Sequence, residues 1–438
     1  MSWTTWARTA RAEPVRTVRP GTLEQLVGAV RDAARDGLRV KAVGSGHSFT
    51  AVAVTDGVLV DLEGYTGLVS ADQATGACTV RAGTTLRQLN GLLAEEGLAM
   101  TNLGDIDAQT VAGAISTGTH GTGVTFGGLS TQVRALELVM ADGSVVTCSA
   151  EVRPELFAAA RVGLGALGVI STVTLQCEPA FLLRAEESPM ELDEVLARLD
   201  ELVEGTDHFE FYWFPNTTRT LVKRNHRLPA DSAARPNGYR RPQLERQLLE
   251  NTAFGLLCRA GRRVPRLVPR INTLSTGLLS PRTFTDRSDR VFVTPRRVRF
   301  VEMEYGLPRE AVAEIVRALP GLVERLAAPV AFPVEVRFAA ADDLWLSTAS
   351  GRQSAYVAVH QFVGMPYQEY FGVVEALLAG VGGRPHWGKL HTLDAEELRP
   401  RYPRFGDFLR VRDQVDPGGR FRNVYLDRVL GPPTRVSS

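Results

Sequence analysis

Two glycine-rich loops, each carrying a histidine, fall within the first 125 residues of this 438-residue chain and constrain its fold more than any other feature. Gly44-Ser-Gly-His-Ser48 follows the apolar run Val40-Lys-Ala-Val43, and Gly113-Ala-Ile-Ser-Thr-Gly-Thr-His-Gly-Thr-Gly123 packs small and hydroxyl-bearing residues around a second histidine. In such loops backbone N–H groups stand clear of bulky side chains, as pyrophosphate binding without a dinucleotide-fold helix requires. One loop alone reads equally well as a tight turn with an ordinary histidine. Two in one domain favour a bound cofactor.

A third segment, Gly163-Leu-Gly-Ala-Leu-Gly168, is a literal GxGxxG. The dinucleotide mechanism needs a strand before the glycines and a helix after them, so that the helix N-terminus faces the pyrophosphate. Here the helical segment Pro154–Val162 precedes and the β-like run Gly168–Leu175 follows. The order is reversed, and a Rossmann site is rejected.

The length predicts two or more packed units, and 44% hydrophobic with 23% charged residues is ordinary globular composition. Fifty Lys/Arg against 49 Asp/Glu leave a net charge of +1, so the whole-chain balance points to no polyanionic partner. No run approaches the roughly 20 apolar residues of a membrane span. The N-terminus lacks the apolar core of a signal peptide, and a cytoplasmic protein is expected. Cys78, Cys148, Cys177 and Cys258 show no CxxC or Cys/His cluster, which predicts buried free thiols rather than disulfides or a metal site.

Along the chain, Thr22 with Gln25 reads as a capping box opening a helix over 22–37, followed by a strand at Leu38–Val43. Val58–Leu62 and Cys78–Ala82 are short β runs, residues 85–97 a helix, and Asp142-Gly143 the turn of a hairpin. From Glu178 onward, a helix at 192–204 precedes strands at Phe209–Phe214, Val298–Tyr305, Val334–Phe338 and Ala355–Phe362, with helices near 308–327 and 367–380. This predicts an α+β protein whose second part is one antiparallel sheet covered by helices on one face. Between these elements, residues 221–300 hold 18 Lys/Arg against five Asp/Glu. That bias fits either an anion-binding or membrane-surface patch, or an arginine-rich surface paired with acids elsewhere. No RNP, zinc-finger or helix-turn-helix signature supports nucleic acid.

The first glycine loop, Asn102-Leu-Gly-Asp-Ile-Asp-Ala-Gln-Thr-Val-Ala-Gly113 and the second loop closely resemble the flavin-binding domain of vanillyl-alcohol-oxidase-type flavoenzymes. Arg384-Pro-His-Trp-Gly-Lys389, Asp416-Pro-Gly-Gly-Arg-Phe-Arg-Asn423-Val-Tyr425 and Pro333-Val-Glu-Val-Arg337 are similar to later signatures of its sugar-lactone and polyol oxidases. Asp207-His-Phe-Glu-Phe211 and Val301-Glu-Met-Glu-Tyr305 look like the bacterial L-gulono-1,4-lactone dehydrogenase and aldonolactone oxidase branch. The resemblance implies a PCMH-type FAD-binding domain over 1–178, an antiparallel-sheet substrate cap over 179–384 and a return to the FAD domain over 385–438.

The resemblance also implies roles. His47 would carry FAD covalently; Gly44, Ser45, Gly46 and Ser48 would cradle the pyrophosphate. Gly113, Ser116, Gly118, Thr119 and His120 would line the cofactor opposite, and Gly168 and Ile170 would meet its adenine end. Asp105 and Asn423 are counted with the cofactor residues. Glu335 and Arg337 alternate on one strand, so they share a face. The resemblance assigns this pair to substrate hydroxyls, Lys389 to the developing negative charge on the substrate oxygen, and His360 to a further hydrogen bond. The implied reaction is oxidation of a CH–OH group of a sugar lactone by hydride transfer to flavin N5, with oxygen or another acceptor closing the cycle. The alternative is an alditol oxidase producing hydrogen peroxide. Polyol-oxidising relatives carry Ser and Thr where Asp105 and Phe362 stand, so these two positions are expected to tune substrate choice toward a compact lactone.

Overall fold

Thr22 accepts a hydrogen bond from the Gln25 N–H (3.3 Å) and opens the helix Leu23–Arg35. The Gln25 side chain reaches back to the Gly21 N–H (2.7 Å), one residue beyond the expected capping box. The helix closes at Gly37 with φ +70°, where the Leu38 N–H donates to Ala33 O (2.8 Å). That closing bond holds Leu38 in the cap, so the strand begins only at Val40. The computed structural model describes residues 2–232, 241–294 and 298–433, the side chains of 241–251 excepted.

Val40–Val43 lies parallel to Val58–Asp61, which in turn pairs with Arg16–Val18. A five-stranded antiparallel sheet stands beside them, ordered Val145–Ser149, Val133–Val139, Val169–Gln176, Ala77–Arg81, Leu68–Asp72. The Asp142-Gly143 turn joins the first two strands, with Gly143 at φ +79°.

The second sheet has eight strands, in the order Arg282–Arg287, Phe181–Glu191, Arg219–Pro229, His208–Trp213, Val334–Ala339, Ser354–Phe362, Phe300–Pro308, Arg384–Pro385. It is antiparallel throughout. Helices Leu192–Ala197, Leu199–Glu204, Val312–Val323 and Gln368–Gly380 accompany it. Val334, Val336 and Phe338 join the hydrophobic core, and the alternate residues Glu335 and Arg337 face the other way.

Three strands of this sheet carry no apolar alternation, because charged residues pair across them. Arg224 meets Glu186 (3.0 Å) and Arg219 meets Glu191 (3.1 Å), while Arg282 binds Glu187. The basic 221–300 stretch is therefore partly sheet, with the helices Arg241–Arg263 and Val268–Gly277 between; residues 233–240 and 295–297 fall outside the described residues.

The C-terminal segment returns to the first glycine loop. Val40 N–H donates to Arg420 O (2.9 Å) and Phe49 N–H to Gly388 O (2.7 Å). All four cysteines are free and buried. No helix among the described residues is long and apolar enough to cross a membrane.

Candidate active site

The strand Val40–Val43 delivers the first glycine loop to a cleft of about 830 Å³. Gly44, Ser45, Gly46, His47, Ser48, Gly113, Ser116, Gly168 and Ile170 all line it, as the sequence predicts. The glycines are required by shape. A Cβ on Gly44 would sit 2.1 Å from Thr110 Oγ1, and Gly46 is left-handed at φ +69°. Thr110 itself caps the short helix Val111–Ser116 by accepting from the Gly113 N–H (3.2 Å). The result is a cleft walled by backbone and small side chains, which fits a long pyrophosphate-linked cofactor.

Lys41 also lines the cleft, buried, and donates to Leu164 O (3.4 Å), Gly165 O (3.0 Å) and Phe421 O (3.3 Å). Burial lowers its pKa to about 7, against the pull of Asp416. His47 stacks on Trp6 with ring centroids 5.6 Å apart. Burial, then the nearby Lys389 charge, pushes its pKa down to about 4, so its imidazole is neutral at physiological pH.

A second cavity, about 710 Å³, adjoins the cleft and shares His47, Ser48, Gln109 and Thr117 with it. Register builds its wall. Tyr212 stands opposite Glu335, and Glu302 opposite His360; directly paired residues share a sheet face. Arg337 binds Glu335, Glu210 (Nε to Oε2, 2.8 Å) and Asp105 (3.4 Å). Tyr212 donates to Glu335 Oε1 (2.9 Å), and Lys223 lies 3.1 Å from Glu210. Burial raises the pKa of Glu210, but Lys223 and Arg337 outweigh it and hold it at about 2.

A second array lies next to the first. Lys389 binds Glu302, whose other oxygen is 3.5 Å from His360 Nε2; Glu335 is 3.9 Å from the same nitrogen. Burial pushes the Glu302 carboxyl up, yet Lys389 and His360 keep it at about 2. Burial would lower the Lys389 pKa, but Glu302 and Glu304 raise it above its ordinary value, so Lys389 stays an ammonium. His360 Nδ1 faces Pro333 O (3.1 Å), which leaves Nε2 as its free nitrogen when neutral.

His120 Nε2 lies 3.3 Å from Glu304, with Nδ1 held by Gly121 O (2.8 Å) and the ring stacked on Tyr356 at 3.6 Å. His386 Nδ1 accepts from the Gly388 N–H (3.0 Å), so its proton sits on Nε2; burial lowers its pKa to about 4. His120, Glu304 and His386 bring ligand-type atoms within 4.8 Å of one another. Because His386 Nδ1 accepts from the Gly388 N–H and its Nε2 carries the proton, that ring offers no lone pair to a cation.

The other cofactor assignments fall in different places. Asp105, Thr119 and His120 line the second cavity, which joins the cleft at His47. The chain turns at Gly118, φ +76°, which lines neither space and carries Thr119 and His120 across to the other side. Asn423 caps the helix Val424–Leu430, and its Nδ2 donates to Ala51 O (3.0 Å), Val52 O (3.0 Å) and Val54 O (2.8 Å). It fixes the loop beside the cleft without lining it. Phe362 lies outside the cavity lining, packed with Phe300, Phe332 and Cys258. Glu335, Arg337, His360 and Lys389 do come together in one cavity. Glu302, Glu304 and His386 join them there without having been assigned roles, and Glu210 and Tyr212 bind Arg337 and Glu335 from outside the lining. The available signal was a carboxylate recurring inside apolar strands, since such a group is costly to bury unless paired.

Residues 173–429 match the family described as D-arabinono-1,4-lactone oxidase, and residues 14–149 match the FAD binding domain family. The chain is 46% identical to an L-gulono-1,4-lactone dehydrogenase of Mycobacterium tuberculosis, over 98% of this chain and 99% of that one. It is 35% identical to an L-gulonolactone oxidase of Mus musculus, over 97% of each. Its fold is that of the cholesterol oxidase of B. sterolicum, with a TM-score of 0.81 at 17% identity over 98% of this chain and 96% of that one. Glycine cleft, buried charge array and two family matches that together run from residue 14 to residue 429 agree: this chain belongs to the D-arabinono-1,4-lactone oxidase family of FAD-linked oxidoreductases.

Proposed function

We propose that the protein oxidises a CH–OH carbon of a sugar lactone of the L-gulono-1,4-lactone or D-arabinono-1,4-lactone type, using a flavin attached through His47. The glycine cleft would hold FAD, which would supply the hydride acceptor, with oxygen or another electron acceptor closing the cycle. The neutral His47 imidazole offers the nucleophilic nitrogen that a covalent link needs. In the adjoining cavity, His360 Nε2 takes the hydroxyl proton, which then lies between Glu302 and Glu335. Lys389, held as an ammonium by Glu302, faces the oxygen as it gains negative charge. Arg337, fixed by three carboxylates, orients the substrate hydroxyls.

The observation that carries this reading is the junction of the two cavities at His47, Ser48, Gln109 and Thr117. A cofactor held in the cleft and anchored at His47 would have its reactive end beside His360 and Lys389. On this reading residues 1–178 bind the cofactor, 179–384 cap the substrate and 385–438 return to the cofactor part, which the bonds from Gly388 and Arg420 support. Four free cysteines suit a reducing cytoplasm. Anaerobic mixing of the holoprotein with L-gulono-1,4-lactone, D-arabinono-1,4-lactone or xylitol tests the substrate. Flavin absorbance bleaches with a lactone; bleaching with xylitol alone overturns the lactone in favour of an alditol.

A further inference from the structure

The arginines of 221–300 divide into two populations. Those on the sheet are paired: Arg224 with Glu186, Arg227 with Glu178, Arg282 with Glu187 and Arg287 with Asp289. Those of residues 252–278 show no acidic partner among the described residues. Arg259, Arg262, Arg263, Arg266 and Arg270 are exposed. Residues 251–285 contain six arginines and not one Asp or Glu.

The same hairpin concentrates exposed aliphatic side chains. Of the eleven exposed large hydrophobic residues described, five are here: Leu256, Val264, Leu267, Leu274 and Leu278, the last 75% exposed. Their spacing is helical. Leu267, Arg270, Leu274 and Leu278 share one side of Val268–Gly277, whereas Val268, Asn272 and Thr276 are buried on the other. On the preceding helix, Leu256, Arg259 and Arg263 share the outer side, with Cys258 turned inward. The inner side packs Cys258 and Val268 on Phe300 and Phe332, and Phe300 walls the second cavity.

We infer that the hairpin spanning residues 252–278 is a peripheral docking surface for an anionic phospholipid bilayer. Aliphatic side chains between exposed arginines match the boundary of headgroup phosphates and acyl chains, where both kinds of group gain. A phosphate groove of nucleic acid offers leucine nothing, and Phe254 and Phe284, engaged with Phe332 and Arg282, leave no free aromatic platform for bases. A second copy of the chain docked face to face would set the arginines Arg259, Arg263, Arg266 and Arg270 against their own like charges. The segment lies on the surface, and no helix among the described residues is long and apolar enough to span a bilayer.

Flotation of the full-length holoenzyme with vesicles tests this. It should bind phosphatidylcholine vesicles containing phosphatidylglycerol, release in high salt, and ignore phosphatidylcholine alone. Arg263→Glu with Arg266→Glu, and separately Leu274→Ser with Leu278→Ser, should each weaken binding by about tenfold or more. Flavin content, circular dichroism and turnover in detergent-free buffer should stay unchanged. Equal binding to neutral vesicles, absence of binding to anionic ones, or binding untouched by both variants overturns the inference. So does salt-dependent binding to DNA without vesicle binding, or a concentration-dependent dimer that either variant dissolves.

Discussion

Around the cofactor cleft the chain presents backbone: Gly44, Gly46, Gly113 and Gly168, with Ser45 and Ser116 between them. Across His47, in the adjoining cavity, it presents Glu302, Glu304, Glu335, Arg337, His360, His386 and Lys389, nearly all tied to one another. The cleft is specified by where side chains are absent. The cavity is specified by buried charges that are tolerable only as a set, because a buried ion is stabilised by its partners. Damage in the cleft should therefore stay local, while damage in the cavity should spread through shared partners and be non-additive.

The sharpest break is Arg337→Ala. It leaves Glu335, Glu210 and Asp105 without their common cation, and the expected loss of folding stability is about 3–5 kcal/mol. A denaturant midpoint equal to wild type would show that the three carboxylates do not depend on Arg337. Turnover falls as well, so this variant cannot isolate the chemical step. Lys389→Met is the cleaner probe. It has one principal partner, Glu302, and should slow flavin reduction by about 3 kcal/mol in barrier, read by stopped-flow, with a smaller loss of stability. A wild-type reduction rate would remove Lys389 from the mechanism.

The two regions also differed in how far the sequence disclosed them. Gly44–Ser48, Gly113 and Ser116 were legible because a strand-ending glycine loop is a local pattern, and its geometry is set within a few residues. Glu335 and Arg337 were legible for a similar reason, since alternation along one strand places both on one face. Glu210 and Glu302 were not, because their roles depend on which strands lie side by side, and register across a sheet has no local signature. The charged strands Phe181–Glu191 and Arg219–Pro229 went unread for the same cause: Arg224 and Glu186 neutralise each other only once paired. Thr119 and His120 continue the glycine-loop motif in sequence but face the adjoining cavity, because Gly118 turns the chain.

On the cleft side, His47→Ala should release the flavin from acid-precipitated protein into the supernatant while the cleft still binds it reversibly. Retention of colour in the pellet would assign the link to another residue. The pH dependence of attachment sharpens the point. The His47 pKa is lowered to about 4, so the neutral, nucleophilic form persists as pH falls and is lost only near that value. An unperturbed histidine would lose it from about 6.5 downward. Apoprotein reconstituted with FAD should therefore gain acid-stable flavin at similar rates from pH 8 to 5, within about twofold. A rate that halves near the ordinary histidine value would show that burial does not hold the imidazole neutral.

The smallest effects, and the most discriminating between the two regions, concern Asp105 and Phe362. Both were expected to tune the choice between lactone and alditol, but the structure separates them. Asp105 lines the cavity and meets Arg337 at 3.4 Å, so its carboxylate is part of the array that orients substrate hydroxyls. Phe362 shares the sheet face of His360 and Phe300 but packs beside the cavity with Phe300 and Phe332, under the Arg262 guanidinium at 5.9 Å. Asp105→Ser keeps a polar group but releases one of the three anions on Arg337. It should move the ratio of kcat/KM for lactone over xylitol on the order of 1 kcal/mol toward the polyol. Phe362→Thr should leave that ratio where it is and cost roughly 2–3 kcal/mol of stability through the lost packing. Steady-state assays and denaturation on the two single variants separate the outcomes. A ratio that follows Phe362 rather than Asp105 would mean that the apolar cluster beside the charged array, and not the array itself, shapes the substrate.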